Sequence, residues 1–246
     1  MRRNAFTMSE VLVTLGIIGV VASLTLPTIV QGIQGRELYG RLRTTYSELN
    51  QVSQRFYAEN EVPFSEWASR KSVDEYAKEF MSYYKGSRRV SSYTYADGNA
   101  AVSGKMPYVI RNMGGIRSST IICDDGGFWN DASGKLYFFN NPPNPGENGP
   151  VFCVDINGMK KPNTWGKDIF VFQFTQDGLV IPMGQEHKFN PIENKKGWET
   201  QFFFKGPERC SPYATHPELD VACAYYALQN VSPKNSNKTY WGDFVK

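Results

Sequence analysis

The sequence predicts an α+β protein in which one very long N-terminal helix carries a head built on an antiparallel β-sheet with short extra helices. Three observations predict it. From Val11 to Gly35 no side chain carries a charge, and the apolar core of that run is about as long as a bilayer-crossing helix needs, on the order of 20 residues. Beyond it Leu38, Leu42, Tyr46 (or Thr45), Leu49, Val52 and Phe56 recur at spacings of three and four, the helical period. Further on, short runs rich in Val, Ile, Phe and Tyr alternate with turn-forming Asn, Asp and Gly, the pattern of strands joined by tight connections.

The chain divides into a short basic leader (1–5), the apolar half of the helix (6–30), its amphipathic half (31–60) and the head (61–246). Run from Phe6 to about Asn60, the helix would be roughly 80 Å long. Glu10 is an acid at the mouth of the apolar run, and a carboxylate inside hydrocarbon costs roughly 2.5 to 3.5 kcal/mol, so it needs a partner. Pro27 removes one backbone hydrogen bond and crowds the preceding turn, which predicts a kink. Gly16, Gly19, Gly32 and Gly35 let neighbouring helices approach closely.

Glu61-Val62-Pro63 ends the helix, and Ser72-Val-Asp-Glu75 reads as a capping box opening a second helix through Tyr76, Ala77, Phe80, Met81 and Tyr84. Gly86 closes it, and a polar loop or ragged hairpin follows to about Gly104. Strands are expected at Met106–Arg111, Ser118–Cys123, Lys135–Phe139, Val151–Ile156, Ile169–Thr175 and Leu179–Pro182. Asn140 to Pro150, rich in Pro, Gly and Asn, reads as an exposed loop. A strand at Trp198–Phe204 and a short helix from about Pro217 to Gln229 come next. Tyr240, Trp241 and Phe244 then tuck the polar tail onto the domain.

With 246 residues there is room for one stalk and one head. The 27 basic and 24 acidic residues leave a net charge of +3, which gives no argument for nucleic acid. Arg2 and Arg3 keep the leader cytoplasmic and send the head to an oxidising compartment. Cys123, Cys153, Cys210 and Cys223 then make two disulfides, by any of three pairings. Their spacings of 29, 56 and 12 intervening residues contain no C-x-x-C, and His187 and His216 flank no zinc pattern. Neither histidine has a triad or H-E-x-x-H partner, and no G-x-S-x-G, P-loop or dinucleotide fingerprint is present. The chain reads as non-enzymatic. Asp124 and Asp125, beside Gly126-Gly127, read as a turn.

The leader MRRNA, followed by Phe6, Thr7, two residues, Glu10 and the apolar run, resembles the processing signal of type IV pilins and type II secretion pseudopilins. That resemblance implies a pilin-like fold and cleavage by a prepilin peptidase between Ala5 and Phe6, with methylation of the Phe6 nitrogen. It also implies that Glu10 pairs with the freed amine of a neighbouring subunit, and that Pro27 marks where the helix extends in a filament. Ala5 stands where most of the family has Gly, and Met8-Ser9 replaces a commoner apolar pair. The partners implied are other subunits, the peptidase and methyltransferase, the inner membrane and an assembly platform. Of the three pairings the resemblance favours Cys123 with Cys153 and Cys210 with Cys223, the second closing a short C-terminal loop.

The segment from Asp155 to Asp168 resembles a loop of many pilin-like domains. Asp155, Asn157 and Asp168 offer a hard-cation arrangement suited to calcium; the competing and favoured reading is that these side chains cap their own backbone. No other cofactor is expected. A different account of the whole chain is an ordinary exported binding domain, adhesin-like, held by an uncleaved anchor or released by a cut after Val20-Val21-Ala22.

Overall fold

The computed structural model describes residues 7–91, 109–117, 123, 125–185, 209–213 and 220–245. Helix α1 runs Met8–Asn60, 53 residues, which is about 80 Å. Thr7 caps its start, and Glu61 ends it in a left-handed conformation (φ 58°), with the Glu61 N–H bonded to the Tyr57 carbonyl. Pro27 lies within α1 without breaking it. The second half of the helix buries Leu42, Thr45, Leu49, Ser53 and Phe56, while Val52 is only partly covered. The stripe therefore includes Ser53, whose hydroxyl donates to the Gly178 carbonyl.

Two short helices follow. α2 (Phe64–Ala68) starts after Pro63 and is too short to leave a periodic signal in the sequence. α3 (Val73–Ser82) starts at the expected capping box: the Glu75 N–H bonds to Ser72 Oγ, and the Glu75 carboxylate accepts from the Ser72 N–H. It buries Tyr76, Ala77, Phe80 and Met81. It stops four residues before Gly86, so Tyr84 packs from just beyond its end.

Six strands form one antiparallel sheet in sequence order: β1 (Arg88–Ser91), β2 (Phe128–Asn130), β3 (Leu136–Phe139), β4 (Val151–Asp155), β5 (Ile169–Phe174) and β6 (Val180–Pro182). The last four match expected strands. β1 falls in the stretch expected as a loop or ragged hairpin, and β2 had no counterpart; both are short and hold by pairing with each other and with β3. Part of the expected strand Met106–Arg111 is corrected. Val109 and Ile110 are not in a strand, and Arg111 makes only isolated bridges to Arg117 and Thr164. Residues 106–108, 118–122 and the expected strand at 198–204 lie outside the described residues. The C-terminal helix is shorter than expected: a 3₁₀ turn (Val221–Cys223) leads into α4 (Ala224–Gln229).

Side chains alternate strictly across the sheet, as the pleat requires. Tyr137, Phe139, Phe152, Val154, Phe170, Phe172 and Phe174 face the core under α1, α2 and α3. Leu136, Phe138, Val151, Cys153, Ile169 and Val171 face a second core with Ile110, Trp165, Met183 and Val221. Both faces are thus covered, which is why β3, β4 and β5 are buried at every position and, apart from Asp155 and Gln173, apolar. The connection 140–150 is irregular as expected but not wholly exposed. Asn148 is buried, its side-chain oxygen takes the Gln176 N–H, and the Gly149 N–H bonds to the Phe174 carbonyl.

One polar cluster bridges stalk and sheet. Lys135, whose side chain is 9% exposed, pairs with Glu48 of α1 and lies 3.6 Å from Asp131; the Tyr137 hydroxyl donates to Asp131 at 3.0 Å. A buried ammonium needs such partners to offset its desolvation, so α1 is fixed in rotation as well as in position.

Candidate membrane and assembly segment

The first half of α1 is exposed and packs on no other described element. Leu12, Leu15, Ile17, Ile18, Leu24 and Ile33 are all at least 60% exposed, and the one helix among the described residues long and apolar enough to cross a membrane is α1, through this segment. Three of its hydroxyls are turned inward on the helix. Thr14 donates to the Val11 carbonyl, Ser23 to Val20 and Thr25 to Val21. Back-bonding of this kind satisfies the hydroxyls without water, and the surface offered outward is hydrocarbon. Such a face in water would expose far more apolar area than a soluble monomer carries. A Cβ added at Gly16, Gly19 or Gly32 would meet nothing within 4 Å, so the small-residue positions are unoccupied by the head.

Glu10 sits at the third helical position behind Thr7. Its carboxylate accepts from the Thr7 N–H at 2.8 Å and the Thr7 hydroxyl at 2.9 Å, and its own N–H bonds to Thr7 Oγ1 at 3.2 Å. This is a reciprocal capping box. The Thr7-x-x-Glu10 spacing that encodes it was legible in the sequence but was read there only as part of a processing signal. Ala5 and Phe6 lie outside the described residues.

The C-terminal tail tucks onto the domain as expected, and it also builds the junction between head and stalk. Tyr240–Phe244 forms a single π-helical turn that buries Tyr240 and Phe244. Trp241 Nε1 donates to the Ala227 carbonyl at 2.9 Å, and its N–H bonds to the Asn230 side chain. A Cβ on Gly35 would stand 3.3 Å from the Trp241 carbonyl oxygen, so this glycine permits the approach. The Tyr240 hydroxyl reaches across to the Gly166 carbonyl at 2.7 Å.

Of the three possible disulfide pairings, the structure forms Cys123–Cys153 and Cys210–Cys223. The first ties the chain before β2 to β4. The second clips the segment around Cys210 to the start of α4, beneath the tail.

The Asp155–Asp168 loop is folded on its own backbone. Asp168 accepts the Asn163 N–H at 2.7 Å and the Thr164 N–H at 2.6 Å, one on each oxygen. Asp155 accepts the Asn157 N–H at 3.2 Å, and the Asn157 amide donates to the Lys161 carbonyl. Gly158 (φ 69°) leaves no room for a Cβ, which would collide with the Gly134 carbonyl oxygen. Asp125 holds a turn through the Asn141 N–H; Asp124, His187 and His216 lie outside the described residues.

The chain matches no protein-family model, no curated protein and no solved structure.

Asp220 ties together the segments around Met113 and Ser211. It is buried, accepting from the Met113 N–H at 2.6 Å and the Ser211 N–H at 3.0 Å. Burial pushes its carboxyl up to about 6, while the two N–H groups and Lys167 pull the other way. Among the described residues, the charged and titratable groups facing it are Lys167 and Tyr240. Because the folded state holds this proton more tightly than the unfolded chain, near 3.8, stability from this group is fully present below about pH 4 and declines until about pH 6. Urea denaturation across that range should show the decline, and Asp220→Asn should lessen it at the cost of one N–H bond, of order 1 kcal/mol, with Asp168, likewise pushed up to about 6 by burial, keeping the rest.

Proposed function

We propose that the chain is a non-enzymatic structural subunit of a type IV pilus or type II secretion pseudopilus, held in the inner membrane by the first half of α1 before it assembles. The leader stays cytoplasmic, a prepilin peptidase cuts between Ala5 and Phe6, and the head lies outside the cytoplasm, where its two disulfides are stable. The observation that carries this reading is the wholly exposed apolar half of α1, continuous with a half locked into the head. A bilayer satisfies the exposed half while the subunit waits. On extraction it needs other apolar helices, and identical neighbours supply them. Glu10 at its mouth meets the new ammonium of an adjacent subunit.

Helix-to-helix packing gives a direct test. With the native cysteines paired, single cysteines at Val13 or Leu24, both well exposed, should cross-link subunits in a sheared filament fraction. An equivalent cysteine at Leu42, buried against the head, should not. Cross-links absent from the apolar half, in filaments that contain the chain, contradict the packing proposed.

A further inference from the structure

Resting on that membrane-anchored reading, we infer that the head carries a second, electrostatic contact with the bilayer: a lysine-lined cavity at its membrane-proximal pole that takes the phosphate headgroup of an anionic phospholipid. The cavity is about 390 Å³ and is lined by Lys167, Lys234, Lys238, Tyr213, Ser232 and Asp243, among others. Its volume is within the range of small-molecule sites.

The lysines are placed by the fold. Lys234 and Lys238 sit on the loop between α4 and the terminal π-turn, closed by the Ser232 N–H to Lys238 carbonyl bond at 2.9 Å and the Lys238 N–H to Asn235 carbonyl bond at 3.0 Å. Lys167 is brought beside them because its neighbour Gly166 accepts the Tyr240 hydroxyl. Among the described residues none of the three ammonium groups has a carboxylate within salt-bridge distance. Asp243, which shares the cavity wall, takes the Thr239 N–H and hydroxyl on one of its oxygens. The two oxygens of Asp220 are spent on Met113 and Ser211. Lys234 stands 5.1 Å from the ring centre of Tyr213, which is 79% exposed. Cations that form no salt bridge among the described residues, beside an exposed tyrosine, match a lipid interface.

Position decides the source of the phosphate. The tail meets α1 at Gly35, five residues beyond Val30, about 7.5 Å along the helix. Headgroups extend roughly 5–7 Å beyond the hydrocarbon on each side, so the lysine loop starts at their level. Arg36, exposed on the next residue of α1, adds to the same field.

The test uses the full chain in vesicles of phosphatidylcholine, with or without phosphatidylglycerol, spin-labelled at Ser236→Cys on the exposed loop and read by broadening from a nickel chelate on lipid headgroups. Phosphatidylglycerol should draw the label toward the surface, with the docked-to-free ratio changing about fivefold per lysine. K167Q/K234Q/K238Q should abolish the lipid dependence, and the corresponding triple arginine variant should retain it. Equal broadening in both lipids, no effect of the triple glutamine variant, or displacement by millimolar inorganic phosphate would overturn the inference. Alkaline extraction of the same vesicles reports insertion separately: a released chain defeats the anchored reading itself, whereas an inserted chain with a lipid-indifferent head defeats only this one.

Discussion

Glu10→Gln leaves membrane insertion intact and lowers incorporation into filaments by roughly a hundredfold to a few thousandfold. Gln at the third helical position still accepts the Thr7 N–H that Glu10 now binds, so the helix start survives and only the charge is lost. Removing one partner of a buried ion pair costs roughly 3–5 kcal/mol because the other is left desolvated and alone, and about 1.4 kcal/mol is tenfold in an equilibrium. Insertion itself should, if anything, improve, since a charge at the lipid boundary is removed. Glu10→Ala also loses the carboxylate's half of the capping box, its bonds from the Thr7 N–H and hydroxyl, worth about 1 kcal/mol, and should be slightly worse than Gln in assembly. Quantifying the chain in membrane and sheared-filament fractions checks both variants. Undiminished filaments from Glu10→Gln would mean that the acid serves only as a helix cap.

Phe80→Ala destabilises the head by about 3–5 kcal/mol, the usual cost of deleting a buried phenyl ring. The ring is fully buried and sits at the meeting point of α2, α3 and the sheet. Its centre lies 5.5 Å from Phe64, 5.9 Å from Phe139, 5.6 Å from Phe152 and 5.1 Å from Phe174, mostly edge-on. No single neighbour can collapse into the void without breaking its own contacts. Urea denaturation should show a lower midpoint with an unchanged slope. A loss under about 1 kcal/mol would show that the head repacks there and that α3 is not keyed to the sheet.

The two expected losses are independent because the residues lie at opposite ends of the molecule, and their legibility in the sequence differed. Elements with their own local signal were readable. The α1 stripe, the Ser72–Glu75 box, the tail aromatics and β3 to β6 follow from periodicity, capping and turn chemistry. The short elements were not. β1 and β2 are held by neighbours rather than by their own composition, and α2 is a single turn placed by Pro63 and by Phe64 packing on Phe56.

At the candidate site the apolar run, Glu10 and the four cysteines were readable. The Thr7 cap was written in the spacing and passed over. Gly35 was read as a helix-packing glycine, but it faces Trp241 of the chain's own tail, a contact across some two hundred residues of sequence that no local pattern announces. The same holds for Lys167, which joins Lys234 and Lys238 only through the fold.

The central claim is that the exposed half of α1 belongs to a processed subunit whose amine meets a sister chain's acid. The most direct measurement is the intact mass, with N-terminal fragmentation, of the chain purified from cells carrying a prepilin peptidase. A polypeptide starting at N-methylated Phe6 is the result expected; one that keeps Met1, or that starts at Ser23, contradicts the account.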